Sequence, residues 1–256
     1  MGKEHRLAER RQAILAALEE AGQLSVDDLS NRFDVSEVTI RQDLQALSER
    51  GLLLRTRGGA YSSNTLPELS FELRQQQYAA QKARIGQAAT ALVHYGDTIF
   101  LDASTTVQTI IPHLKRLAEL TIITNSLKVA INLLDSPHIH VILPGGSLRR
   151  TSISLVEQPH CDLIEDLNIQ LGFFGARGLT IAEGLSDVHL GEVKMKRAMV
   201  ERCQRVVGLI DARKWGKVAA STFAYLHQID TIISDTAAPA SLVEQVRQQQ
   251  VEVILV

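Results

Sequence analysis

Seven short apolar runs recur along the C-terminal part of the chain, separated by stretches with helical spacing. They are Thr98-Ile99-Phe100-Leu101, Thr121-Ile122-Ile123-Thr124, Val141-Ile142-Leu143, Leu171-Gly172-Phe173-Phe174, Val206-Val207-Gly208-Leu209-Ile210, Thr231-Ile232-Ile233 and Val253-Ile254-Leu255-Val256. Runs without polar alternation suit strands buried on both faces, as in a parallel sheet covered by helices. The pattern predicts an α/β domain over residues 81–256, opened by a helix from Gln81 to Val93 and a turn at Gly96-Asp97.

Ligands of such sheets sit outside the carboxyl ends of the strands. Asp102-Ala103-Ser104-Thr105-Thr106 follows the first run and is expected to open a helix, where unpaired N–H groups favour an anion. Asn125-Ser126 follows the second, Gly145-Gly146 the third and Gly175 the fourth, while Asp211 follows the fifth with Lys214 close behind. Glu192 and Lys196, four apart, share one face of the preceding helix. Ser104, Thr105 and Thr106 with Lys196 and Lys214 suit a phosphate, and Asp102, Asn125 and Asp211 suit sugar hydroxyls. The plainer alternatives are a helix cap at the Ser/Thr loop and a solvated charged turn at Lys214 and Lys217.

The N-terminal part reads differently. Leu7, Ile14, Leu15 and Leu18 mark a helix over residues 6–21, ended by Gly22. Ser25-Val26-Asp27-Asp28 is a capping-box start for a second helix burying Leu29 and Phe33. After Asp34 and Val35, Ser36 caps a third helix with Ile40, Leu44 and Leu47 on its inner face and Gly51 as its stop. Its outer face offers Glu37, Val38, Thr39, Arg41, Gln42 and Gln45. Arg and Gln there suit a DNA major groove, where Arg reads guanine and Gln adenine. Leu52 to Tyr61 reads as two strands around a turn, with Arg55 and Arg57 near its tip. Three helices and such a hairpin make a winged helix-turn-helix over residues 1–61, whose wing arginines would flank the backbone or minor groove. A polar connector, residues 62–80, includes a Gln-rich helical piece around Gln75-Gln76-Gln77.

Net charge is −2, so no global basic field announces a nucleic-acid partner. Residues 1–61 carry nine lysines and arginines against ten acidic residues, so phosphate contacts must be local and a homo-oligomer would double them. No apolar run of about 18 residues indicates a membrane span, and the first residues lack a signal region. Cys161 and Cys203 are isolated, which suits a reducing cytoplasm, and Cys203 is expected to pack within a helix. His138 and His140 share a strand face, and His160-Cys161-Asp162 is a second cluster, but neither has a third ligand at suitable spacing. No metal or cofactor is expected. Gly58-Gly59 reads as a wing turn, since no phosphate-loop Lys-Ser/Thr follows.

The run Val35-Ser36 … Thr39-Ile40-Arg41-Gln42-Asp43-Leu44 … Leu47 … Gly51 … Arg55 … Gly58-Gly59-Ala60 resembles the signature of the DeoR family of bacterial sugar-catabolism repressors. Matching stretches continue at Asp102 to Thr106, Thr124-Asn125, Gly145-Gly146, Gly172 to Gly178, Glu192 through Lys196-Arg197-Ala198, and Asp211 through Lys214 to Gly216. These look like the family's sensor domain, similar in fold to ribose-5-phosphate isomerase and coenzyme A transferases. The resemblance implies that Ser36, Thr39, Arg41, Gln42, Arg55 and Arg57 face DNA, and that a phosphorylated sugar or related metabolite controls binding. Three departures stand out. Gln42 replaces a second basic residue, Ser104 replaces a glycine that could need positive φ, and Ala212-Arg213 replaces serines. Arg213 would add a cation near the anion.

The expected protein is a cytoplasmic, sequence-specific repressor of a carbohydrate-utilisation operon, and not an enzyme. It binds double-stranded operator DNA as a dimer or tetramer. The rival is a sugar-phosphate isomerase or transferase with a DNA-binding appendage, using Asp102, Asp211 and Lys214 for proton transfer. A structural nucleoid protein is disfavoured by the low net charge.

Overall fold

The computed structural model describes residues 2–49, 52–56, 58–62, 71–117, 119–157 and 168–256. The chain divides into two compact units, Met1–Tyr78 and Ala79–Val256.

In the first unit, α1 (Gly2–Ala21) ends where Gly22 takes φ +75° and donates its N–H to Leu18 O. A short strand, β1 (Gln23–Ser25), precedes α2 (Val26–Phe33). The expected capping box forms: Asp28 N donates to Ser25 Oγ at 2.9 Å and Ser25 N to Asp28 Oδ2 at 3.0 Å. Asp34 turns the chain in the left-handed region at φ +49°, and α3 (Glu37–Glu49) follows. Ser36 Oγ accepts from Thr39 N at 3.3 Å, so Ser36 is its N-cap. Ile14, Leu18, Leu29, Ile40, Leu44, Leu47 and Leu53 close the core. Phe33 was expected inside but is only half-buried, packed on the rim of this core.

The wing is β2 (Leu53–Arg55) and β3 (Gly59–Ser62). With β1 they form a three-stranded antiparallel sheet in the order β1-β3-β2, where two strands were expected. Three residues give too short a period for β1 to be seen in sequence. Gly59 lies so close to Leu24 O and Ser25 Cα that a Cβ would collide. Gly51, Arg57, and the His160-Cys161-Asp162 cluster lie outside the described residues. Within the 62–80 connector, α4 (Phe71–Gln76) is helical, and Tyr78 takes φ +54°.

The second unit opens with α5 (Ala79–Thr90) and then carries two short helices, α6 (Ile111–Leu114) and α7 (Leu127–Asn132). All seven apolar runs become strands: β4 (Thr98–Leu101), β5 (Leu120–Thr124), β6 (Ile139–Ile142), β9 (Ile169–Phe174), β12 (Cys203–Leu209), β14 (Thr231–Ser234) and β15 (Glu252–Leu255). They form one parallel sheet in the order β15-β14-β12-β9-β4-β5-β6. Alternate residues feed opposite faces. Ile99, Leu101 and Ile122 join Ile85 and Ala89 of α5, while Phe100 and Ile123 join the cluster of Val193, Met195 and Met199. The order reverses between β4 and β9, which places the topological switch point at their carboxyl ends.

Two features were not legible. A hairpin, β7 (Ser147–Arg149) with β8 (Ser154–Val156), follows β6. A second antiparallel sheet joins β10 (Gly178–Thr180), β11 (Gly184–Asp187) and β13 (Ser221–Ala224). Cys203 starts β12 and is not helical as expected; α8 (Leu190–Val200) ends three residues earlier. Burial pushes the Cys203 thiol up to about 12. A last helix, α9 (Ala240–Gln248), leads into β15.

Candidate functional site

The described candidate residues gather in two clusters, one in each unit. On α3, Val38, Arg41, Gln42 and Gln45 stand at i, i+3, i+4 and i+7, so they line one outward stripe. Val38, an apolar side chain on this stripe, is 62% exposed. Arg41 Nη2 pairs with Glu37 Oε2 at 2.6 Å, both half-exposed. Ser36 and Thr39 bond each other through their hydroxyls at 2.9 Å. Asp43, on the opposite side, is buried and held by Arg10 Nε at 2.6 Å and Arg11 Nε at 2.8 Å. This anchor of α1 to α3 spans over thirty residues, so sequence spacing gave no sign of it. Arg55 lies next to the turn as expected: it ends β2 opposite Ala60, and its Nη1 donates to Gln45 Oε1 at 2.6 Å.

At the switch point, the loop after β4 opens a helix as expected: a 3₁₀ turn, Val107–Ile110, that runs straight into an α-helical turn, Ile111–Leu114. Ser104 Oγ accepts from Val107 N at 3.1 Å, so it acts as a local cap. Ser104 is not among the positive-φ residues, so the substitution of serine for the family's glycine brings no left-handed strain there. Its side chain lies where a Cβ on Gly175 would have to go, so the two residues occupy one close contact. Thr105 and Thr106 are buried. Thr105 Oγ1 accepts from Lys82 Nζ at 2.9 Å. Lys82, buried on α5, was missed because a lysine on an amphipathic helix ordinarily reads as solvated.

Asp102 and Lys196 are placed at this point but are already engaged with each other and with neighbouring groups. Asp102 Oδ1 accepts from Ser104 N at 2.8 Å and Oδ2 from Gly175 N at 2.8 Å, and Oδ2 forms an ion pair with Lys196 Nζ at 3.0 Å. Lys196 Nζ also donates to Asp187 Oδ2 and to Gly175 O, both at 2.7 Å, and sits 4.8 Å over the Phe223 ring. Two hydrogen bonds and the ion pair with Asp102 thus engage this ammonium. Burial disfavours that charge, but Asp102, Asp187 and Glu192 together raise the Lys196 pKa above its usual value. Glu192 in turn meets Arg149 Nη1 at 2.9 Å and Ser154 Oγ at 3.0 Å.

Asp211 is likewise engaged. Arg213 grips it through Nε to Oδ1 at 2.8 Å and Nη2 to Oδ2 at 3.0 Å, so Arg213 neutralises Asp211 where it was expected to add a cation. Lys214 remains: burial, with Arg177, Arg213 and Lys217 nearby, brings its pKa down to about 8 against the pull of Asp211. Asn125 is buried; its Nδ2 donates to Leu155 O at 3.0 Å, and its Oδ1 has no donor. Gln108 Nε2 reaches Ser126 Oγ at 3.3 Å and ties the two strand ends together. Gly145 and Gly146 take φ +78° and +118° in the turn from β6 to β7, with Gly146 tight against Val156 O. They shape that turn.

Both clusters fall inside known family regions. Residues 10–65 match the DeoR-like helix-turn-helix domain, and residues 77–236 match the DeoR C terminal sensor domain. The chain belongs to the DeoR family. It is 35% identical over 228 residues to the HTH-type transcriptional regulator GolR of Listeria innocua, covering 89% of this chain and 90% of that protein. It is 28% identical over 247 residues to the glycerol-3-phosphate regulon repressor of Escherichia coli, covering 96% and 98%. A ribose 5-phosphate isomerase A structure from Methanocaldococcus jannaschii aligns over 52% of this chain and 53% of that one, with TM-score 0.39 and 16% identity. That likeness is too slight to bear on activity. In this DeoR-type chain no described helix is long and apolar enough to cross a membrane.

Proposed function

We propose that this DeoR-family regulator is a repressor of a carbohydrate-utilisation operon, released from its operator by a phosphorylated sugar or related metabolite. What carries the reading is the union, in one chain, of the DeoR-like helix-turn-helix and the DeoR sensor domain. Residues 1–61 hold double-stranded DNA through Ser36, Val38, Thr39, Arg41, Gln42, Arg55 and Arg57. Residues 81–256 sense the metabolite and join protomers into a dimer or tetramer, and residues 62–80 connect the two. The protein works in the cytoplasm. A relative named for the glycerol-3-phosphate regulon supports a phosphorylated polyol or sugar as the effector class.

Lys214, with Thr105 and Thr106, meets the anion, and Asn125 Oδ1 receives a hydroxyl. A buried acceptor without a donor costs about 1–3 kcal/mol, and a ligand hydroxyl would recover it. Asp102 and Lys196 hold the loop after β4 and do not touch the ligand. Asp211 orients Arg213 beside it. The same engagement speaks against the isomerase or transferase reading, because a carboxylate gripped by a guanidinium or an ammonium is a poor general base.

The test is a thermal-shift screen of the purified chain over phosphorylated sugars and polyols, followed by operator release in gel shifts. A bound metabolite stabilises the folded state by mass action. A ligand that raises the melting temperature and frees the operator supports the proposal. Steady turnover of that ligand would move the protein into the enzyme class.

A further inference from the structure

We propose that Arg55 reads a base in the major groove and that Gln45 is the residue that positions it. The inference rests on the reading of α3 as the DNA-contacting helix and goes beyond it. A wing arginine is expected beside the backbone or minor groove, where it adds affinity without sequence information. Arg55 is placed otherwise. It ends β2 before the turn, and its guanidinium lies against the outward stripe of α3. There it helps line a shallow cleft of about 410 Å³ with Val38, Arg41, Gln42, Gln45 and Ala46.

The tether has a consequence for chemistry. The Arg55–Gln45 hydrogen bond, at 2.6 Å, uses one of five guanidinium hydrogens. The remaining fork is fixed in plane, which is what a bidentate contact to guanine O6 and N7 requires. The partner's charge matters too. Arg41 is held by the carboxylate of Glu37, which offsets its charge. Arg55 is held by a neutral amide, so its full positive charge stays available to the duplex. Arg55 and Gln45 are ten residues apart on different elements, so the wing and the recognition helix act as one reading surface.

The test is selection of bound sequences from a randomised duplex pool by the full chain, with affinities measured over a salt series. The parent chain is expected to select one motif. Arg55→Ala should lose preference for guanine at one position, on the order of tenfold. Arg55→Lys keeps the charge without the fork, so it should lose the same preference while retaining the salt slope. Gln45→Met removes the acceptor and should relax that same position, with no further loss in the double variant Arg55→Ala/Gln45→Met. Gln45→Glu still accepts from Arg55 and should keep the base choice at lower affinity. An Arg55→Ala variant that keeps the whole motif and only lowers the salt slope by about one makes Arg55 a phosphate contact and overturns the proposal. A Gln45→Met variant that changes a different position overturns the positioning role. A parent chain that selects no motif sinks the DNA-reading assignment itself, a separate result.

Discussion

Lys196 Nζ stands 3.0 Å from Asp102 Oδ2 inside the protein, and this contact fastens α8 to the loop after β4 at the switch point of the sheet. Asp187 and Gly175 complete the coordination of the ammonium. The charges expected to meet a ligand instead meet each other, and they set the shape of the loop that would meet it.

Replacing Lys196 with Met should therefore destabilise the sensor unit by about 3–5 kcal/mol, since Asp102 and Asp187 would be left buried without their cation. Trp215, the single tryptophan, is buried in this unit with its Nε1 3.0 Å from Ser234 Oγ. Its fluorescence during urea unfolding reports the sensor unit directly. An unchanged midpoint would mean that water or another group can replace the ammonium.

Acid should loosen the same network. Burial pushes the Asp187 and Glu192 carboxyls up, but Lys196, with Arg177 or Arg149, pulls harder, and both end below their usual values. The unfolded chain then takes up protons first as pH falls. The stabilisation from these groups is complete above the ordinary carboxylate range, about pH 4, and is lost as pH drops through their lowered folded values. Trp215-monitored stability should hold from neutral pH to about 5 and fall steeply below about 4. A midpoint that stays level down to pH 3 contradicts the depressed carboxyls.

Lys214 makes an opposite prediction on the alkaline side. With a pKa of about 8, its charge is lost well before an ordinary lysine's. Affinity for a phosphorylated effector, measured by calorimetry without DNA, should decline between pH 7 and 9. Proton uptake should accompany binding near pH 8, because an anion raises the lysine's pKa. Lys214→Gln should remove both effects. Equal affinity at pH 7 and 9 would take Lys214 out of the anion site.

On the DNA side, Arg41→Ala should weaken operator binding by about 1–3 kcal/mol and relax one base position. Sensor stability, read from Trp215, should not move. Parent-like binding by this variant would show that the pair with Glu37 persists on DNA and keeps Arg41 from the bases.

Much of the architecture was legible because it is written in local periodicity. The seven apolar runs became the seven parallel strands, and Ser25 and Ser36 capped the helices they preceded, with Asp28 closing the box at α2. Several three-residue strands were not legible. β1, β10 and the β7–β8 hairpin are too short to show a period, and they pair only because the surrounding fold brings an edge to them. Polar residues at strand ends were found, but not their partners.

The sequence by itself determined the family, the two-part organisation and the positions at the carboxyl end of each strand, because these follow from short-range pattern. Tertiary structure alone decided which charges are spent and which are left. Arg10 and Arg11 reach Asp43, Lys196 reaches Asp102 and Lys82 reaches Thr105 across gaps of 23 to 94 residues. No spacing rule spans such gaps. Burial then fixes the outcome, since a charge out of water must find its opposite or give up its proton. Lys196 found two carboxylates and a carbonyl, whereas Lys214 is held at a pKa of about 8.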